Sequence, residues 1–169
     1  MIIIVFGLPG SGKSYFASHL ASMINAEYIN SDIVRKKLFH KRTYSEQEKL
    51  LVYNEMIRQM RKVAKQNRNV ALDATFYSND IRQKFVEGIK DINDIIFIEV
   101  TAEESVIRKR LEKAREDSEA DFEVYKKIKN EWEPLRQDHL ILKSTNDNIR
   151  EMLEKTADYL YLKNDKRTN

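Results

Sequence analysis

The segment Gly7-Leu8-Pro9-Gly10-Ser11-Gly12-Lys13-Ser14 holds three of the chain's four glycines and follows directly on the apolar run Ile2-Ile3-Ile4-Val5-Phe6. This is the G-x-x-x-x-G-K-[ST] phosphate loop (Walker A), with a strand pattern before it and a helix pattern after it. Glycines without a Cβ let the backbone curl until successive N–H groups point inward and cradle phosphate oxygens. The helix that follows adds the partial positive charge of its N-terminus. In such a loop Gly7, Pro9, Gly10, Ser11 and Gly12 shape the nucleotide cradle. Lys13 reaches the β- and γ-phosphates, and the Ser14 hydroxyl sits on a magnesium ion. A glycine-rich turn without a ligand is the plainer alternative, and the flanking strand and helix weigh against it.

Strand and helix patterns alternate along the rest of the chain. Apolar spacing predicts a helix over 14–25 with Phe16, Leu20 and Met23 or Ile24 on one face. A short strand over 26–30 precedes a helix to about residue 39 that Ser31 or Asp32 caps. Ser45 and Glu48 form a capping box for a long helix whose apolar stripe is Leu50, Tyr53, Ile57, Met60 and Ala64. A strand over 70–72 ends at Asp73, and a helix follows over 79–89. The run 95–100 is a strongly apolar strand, and Thr101 with Glu104 reads as a second capping box for a helix to about 114. A helix over 121–132, a strand over 139–142 and a helix over 146–162 complete the pattern, with a frayed tail at 163–169. Five apolar strands separated by helices predict a parallel sheet covered on both faces. With the phosphate loop after the first strand, the fold class is α/β of the P-loop NTPase type.

Composition narrows the function classes. At 169 residues the chain reads as one domain, 1–169, with a basic and acidic lid at about 110–125. The formal net charge of +3 is too small to imply a nucleic-acid partner by itself. The absence of cysteine excludes disulfides, thiolate metal sites and a cysteine nucleophile. His19, His40 and His139 show no metal-ligand spacing. The first apolar run is too short for a signal peptide or a membrane span. A cytoplasmic location, where ATP is abundant, is the simplest expectation.

Three further groups carry chemistry. In a parallel sheet the active crevice lies at the carboxyl ends of the strands, so Asp32, just after the second strand, opens onto the same crevice as Gly7. A carboxylate there can accept the proton of an attacking hydroxyl. Arg35, one turn on, shares its helix face and could hold an anionic part of the acceptor. Asp32 is equally a reasonable helix cap. Asp73, at the end of the third strand, can bind magnesium through water, or else caps a turn. The cations Arg108, Lys109, Arg110, Lys113 and Arg115 precede the acidic run 116–119. One or two of them could stabilise charge on a transferring phosphoryl group. The basic stretches 35–42 and 58–68 could receive a polyanion, or are solvated helix faces.

Over residues 2–145 the chain resembles the small P-loop kinases grouped with polynucleotide 5′-hydroxyl kinases, zeta-toxin-type kinases and chloramphenicol-phosphotransferase-like enzymes. The resemblance rests on the phosphate loop, on Ser31-Asp32-x-x-Arg35 and on Leu72-Asp73-Ala74-Thr75-Phe76 followed by Arg82. It extends to Ser118-Glu119-Ala120-Asp121 and Glu133-Pro134-Leu135. It implies strand order 2-3-1-4-5, a preference for adenine, Asp32 as general base, Arg35 on a phosphate of the acceptor, and Arg82 and Asp73 on the substrate side. It also implies lid arginines in an R-L-x-x-R pattern. This chain has Arg110-Leu111-Glu112-Lys113-Ala114-Arg115, with the second arginine one position late, so Arg110 is carried over and Arg115 competes with Lys113. The expected activity is ATP- and magnesium-dependent transfer of the γ-phosphate to a hydroxyl of a nucleic-acid 5′ end or a small molecule. An ATP-binding regulatory module or slow ATPase is the rival reading. Asp32 discriminates, since a hydrolase needs no carboxylate aimed at an alcohol.

Overall fold

The computed structural model describes residues 1–89, 95–112 and 120–168. Five strands, β1 (Ile2–Phe6), β2 (Ala26–Asn30), β3 (Asn69–Asp73), β4 (Ile95–Thr101) and β5 (Leu140–Lys143), form one sheet of order β2-β3-β1-β4-β5. Every pairing is parallel. The order is the expected one, and the strands read as continuous apolar runs because both faces are covered.

The seven helices among the described residues are α1 (Lys13–Met23), α2 (Ser31–Leu38), α3 (Glu46–Ala64), α4 (Asn79–Ile89), α5 (Glu104–Leu111), α6 (Phe122–Asn130) and α7 (Ile149–Thr168). One core face joins Ile2, Ile4 and Phe6 to α3 and α4; the other joins Ile3 and Val5 to α1 and α7. The period-two alternation of β1 therefore serves both layers at once. A smaller cluster of Ile107, Leu111 and Tyr125 packs α5 on α6.

Register positions the functional ends. Asn30 pairs with Asp73, and Asp73 with Val5, so the carboxyl ends of β1, β2 and β3 lie side by side. The phosphate loop and the start of α2 leave the sheet from that edge.

Several local expectations change. The cap of α2 is Asn30, whose Oδ1 accepts from the backbone N–H of Asp32 and Ile33 at 2.9 Å each. Ser45 caps α3 as predicted, accepting from Glu48 N–H. Glu48, however, reaches past Ser45 to the backbone N–H groups of Thr43 and Tyr44. The buried stripe of α3 is Glu48, Val52, Met56, Met60, Val63 and Ala64; Met60 and Ala64 were expected there, Tyr53 and Ile57 pack against the core, and Leu50 is exposed. Thr101 stays within β4, bonded to the Leu142 carbonyl, so α5 begins at Glu104 without a side-chain cap. The backbone of α7 is helical through Thr168, where a frayed tail was expected. Lys113, Arg115 and Ser118-Glu119 lie outside the described residues.

Candidate active site

The loop between β1 and α1 takes the shape its glycines allow. Gly7 has φ +152° and Gly12 has φ +92°, both in the region that favours glycine. A Cβ on Gly7 would lie 2.2 Å from the Val100 carbonyl oxygen, and one on Gly12 would lie 2.9 Å from Ser144 Oγ. Gly12 is also the N-cap of α1 and has no side chain with which to cap it. The first-turn N–H groups of a helix have no partners within it, which suits such a start to an anion.

Two pockets meet at Lys13 and Ser14. The first, of about 510 Å³, lies between the loop, the end of α5 and the segment 144–149. Arg110 is fastened there. Its guanidinium donates to the Gly10 carbonyl at 3.2 Å, Ser144 Oγ at 2.9 Å, the Thr145 carbonyl at 2.7 Å and Asn146 Oδ1 at 3.3 Å. Burial pulls its pKa down, though not enough to discharge a guanidinium. Arg110 thus joins the loop at Gly10 to the segment after β5. A cation expected on the lid lines the first pocket beside Lys13 and Ser14 and does not line the cleft that holds Asp32. Ser144 completes the joint by donating to the Ser11 carbonyl. Asn148 shapes the same segment, accepting from Thr145 N–H at 2.8 Å and donating to the Lys143 carbonyl at 2.9 Å. Sequence reasoning passed over Ser144, Asn146 and Asn148. The available signal was the polar run Ser144-Thr145-Asn146-Asp147-Asn148 directly after the last strand.

The second pocket, a cleft of about 330 Å³, brings Lys13, Ser14, Asp32, Arg35 and Asp73 onto one surface. Asn30 links the two aspartates. Its Oδ1 caps α2 and so fixes the backbone of Asp32, while its Nδ2 donates to Asp73 Oδ2 at 2.5 Å. Capping is therefore done by Asn30, and the Asp32 side chain serves no cap. Tyr28 donates to the same Asp73 oxygen at 2.7 Å. Burial first, and then the Asp73 charge, push the Tyr28 hydroxyl far above its ordinary value, so it remains a donor. Asp73 is fully buried, and its Oδ1 has no partner among the described residues.

A buried carboxylate oxygen without a donor is costly unless something else meets it. Asp73 Oδ1 and the Ser14 hydroxyl are hard oxygen donors on one cleft, a set that fits magnesium. Among the described residues no group of three or more His, Cys, Asp or Glu could hold a metal alone. Magnesium in nucleotide sites takes one or two side chains and fills its shell with phosphate oxygens and water.

Arg35 is 8% exposed and lies between two carboxylates, with Nη1 at 3.2 Å from Asp32 Oδ1 and Nε at 2.8 Å from Glu48 Oε1. Arg82 is absent from the cleft. Its guanidinium donates to the carbonyls of Ser78, Tyr77 and Glu133 and lies against the rings of Phe6 and Trp132. Glu133 in turn accepts from Asn79 N–H at 2.6 Å at the start of α4. The geometry gives Arg82 and Glu133 a bracing role, tying the chain after α6 to α4, in place of the expected contact of Arg82 with substrate.

Residues 2–135 match the AAA domain family. No curated protein sequence matches the chain. Among solved structures, an unliganded sugar kinase from Janibacter sp. HTCC2649 superposes with a TM-score of 0.74 at 16% identity, over 94% of this chain and 93% of that one. The APS kinase CysC of Mycobacterium tuberculosis, in complex with AMPPNP and APS, gives 0.73 at 16% identity over 95% and 96%. Chaetomium thermophilum Kti12 in complex with ADP-AlF3 gives 0.68 at 18% identity over 94% and 98%. At these identities the likeness is one of fold. Among the described residues no helix is long and apolar enough to cross a membrane.

Proposed function

The chain belongs to the AAA domain family, and on that footing we propose that it is an ATP- and magnesium-dependent kinase that phosphorylates an alcohol. The observation that carries this reading is Asp32. It shares a cleft with Lys13 and Ser14, and Asn30 performs the capping that would otherwise explain an aspartate there. Support also comes from the fold shared with proteins named as a sugar kinase and an APS kinase.

The chain's own residues divide the work. The loop backbone and the start of α1 hold the phosphates, and Lys13 neutralises charge on the β- and γ-phosphates. The pocket along 144–149 receives the base and ribose, with Arg110 holding its wall. Ser14 and Asp73 hold magnesium, which supplies charge neutralisation at the phosphate oxygens when bound. Asp32 accepts the proton of the acceptor hydroxyl as that oxygen bonds to the γ-phosphorus. The bond from the γ-phosphorus to the bridging oxygen breaks, and ADP leaves with the electron pair. The reaction is a group transfer with no oxidant or reductant. A lid cation, Arg115 or Lys113, remains part of the reading for the charge that develops on the transferring group. The acceptor hydroxyl belongs to a small molecule or a nucleic-acid 5′ end, and the location that goes with such a reaction is the cytoplasm.

The test is Asp32→Asn. Transfer should fall by about 10²–10⁴-fold, the range of a positioned proton acceptor, with ATP affinity unchanged. Calorimetry for ATP and ADP release for turnover read the two quantities separately. Loss of ATP binding together with thermal stability would make Asp32 a framework residue and sink the mechanism. Full ADP release by the variant would instead favour a hydrolase.

A further inference from the structure

The charge arrangement around Arg35 restricts what the acceptor can be. Asp32, Arg35 and Glu48 form a row of two carboxylates about one guanidinium. Glu48 is only 4% exposed, and its second oxygen accepts from Thr43 N–H at 2.6 Å, Thr43 Oγ1 at 2.8 Å and Tyr44 N–H at 3.2 Å. Burial pushes the Glu48 carboxyl up, but these donors and the Arg35 charge outweigh it and hold its pKa below the ordinary value. Glu48 is therefore an anion at neutral pH, and the row carries one net negative charge. The ring of Tyr44 covers one face of the guanidinium, 4.8 Å from its centre.

Of the other cations that line the cleft, Lys13 belongs to the phosphate loop and Lys49 has a carboxylate of its own. Lys49 pairs with Glu46 at 2.6 Å. Lys127 on α6 and Glu131 just past its end both line the cleft, so a further carboxylate stands on this wall beside the lysine. An anionic group brought to Arg35 would be a third anion on one guanidinium, in a place where water screens it poorly. A neutral hydroxyl meets no such repulsion. It can use the remaining guanidinium N–H groups and the hydroxyls of Tyr53 and Tyr77, which also line the cleft. Burial pushes the Tyr53 hydroxyl well up, so it stays protonated and able to donate.

Resting on the kinase reading above, we propose that the acceptor is a small uncharged polyhydroxyl compound, and that Glu48 enforces this choice by occupying the charge of Arg35. Glu48 is a specificity residue behind the cleft wall; it touches Arg35 and not the reacting atoms. The role differs from the one the family resemblance implies for Arg35, a grip on an acceptor phosphate.

The experiment uses the full chain saturated with ADP and magnesium, and paired probes: ribose and ribose 5-phosphate, glucose and glucose 6-phosphate, glycerol and glycerol 3-phosphate, with a 5′-hydroxyl oligonucleotide alongside. Calorimetric titration should show a neutral member binding more tightly than its phosphate. Glu48→Gln, which keeps the size of the side chain and removes its charge, should shift that ratio by about tenfold or more toward the phosphate. The proposal is overturned if a phosphate or the oligonucleotide binds the native protein more tightly, if no neutral polyol binds, or if the ratio is unmoved in a folded Glu48→Gln protein. Should that variant not fold, the native comparison alone decides the acceptor class. Transfer from ATP is read separately on the same probes. Neutral polyols that bind without receiving phosphate would overturn the kinase reading and leave the acceptor class standing. Transfer to anionic probes alone would do the reverse.

Discussion

The two pockets that meet at Lys13 and Ser14 are built from different materials. The wall toward 144–149 is organised around backbone: glycines Gly10 and Gly12 at positive φ, the carbonyls of Gly10 and Thr145, and Arg110 as a clamp across them. The wall toward α2 and α3 carries the side chains of Asn30, Asp32, Arg35 and Tyr44, with Glu48 behind Arg35. On the proposed reading the first pocket takes the nucleotide, and its glycines can change little without losing the loop. A side-chain pocket can be altered one residue at a time, so acceptor choice can diverge on a constant nucleotide site.

The comparison predicts that substitutions in the backbone pocket act on ATP and on folding. The largest effect expected is for Lys13→Ala, which should weaken ATP binding by roughly 2–4 kcal/mol through loss of a charge-assisted phosphate contact. Calorimetry checks it, and unchanged ATP affinity would remove the basis for the whole site. Gly7→Ala should come next. Its Cβ meets the Val100 carbonyl at 2.2 Å, so the loop or β4 must shift. A cost of about 1–3 kcal/mol in urea unfolding is expected, in keeping with other forced backbone shifts.

Asn30 sharpens the comparison, because it serves both framework and site. Asn30→Ala removes the α2 cap and should cost about 0.5–2 kcal/mol of stability. Asn30→Ser restores an acceptor for the cap, and its shorter side chain lacks the amide N–H that reaches Asp73. Stability should then return while turnover stays low; recovery of both together would reduce Asn30 to a cap. The smallest effect expected is for Arg110→Ala. Its place on the loop side predicts a rise in the KM for ATP of up to about tenfold, near 1.4 kcal/mol, with little change in kcat. A fall in kcat at constant KM would instead put Arg110 on the transferring phosphoryl group, as the lid reading of the sequence had it.

The loop and the sheet were legible because their requirements are local. A strand, glycines at fixed spacing and a helix start lie within one short segment. Asp32, Arg35 and Asp73 were legible as residues at strand ends, which topology gathers. What binds them was not. Asn30 meets Asp73 across a strand pairing between residues 43 positions apart, and only register puts them face to face. Glu48 looked like half of a capping box and spends its oxygens on Thr43, Tyr44 and Arg35. That burial brings the Glu48, Val52 and Met56 stripe of α3 inward and leaves Leu50 exposed, against hydrophobicity alone. Arg82 illustrates the opposite error. A charged residue near motif positions was read as a substrate contact, but it is held by backbone carbonyls and two aromatic rings.

The central claim is that phosphate moves from ATP to an alcohol. The most direct measurement is ADP formation by the native protein with magnesium and ATP, with and without added polyhydroxyl compounds, together with the fate of a labelled γ-phosphate. The account predicts little ADP without an acceptor, a rise when the right hydroxyl compound is added, and the label recovered on that compound. ADP formation at the same rate with no alcohol present, with the label released as inorganic phosphate, would contradict it.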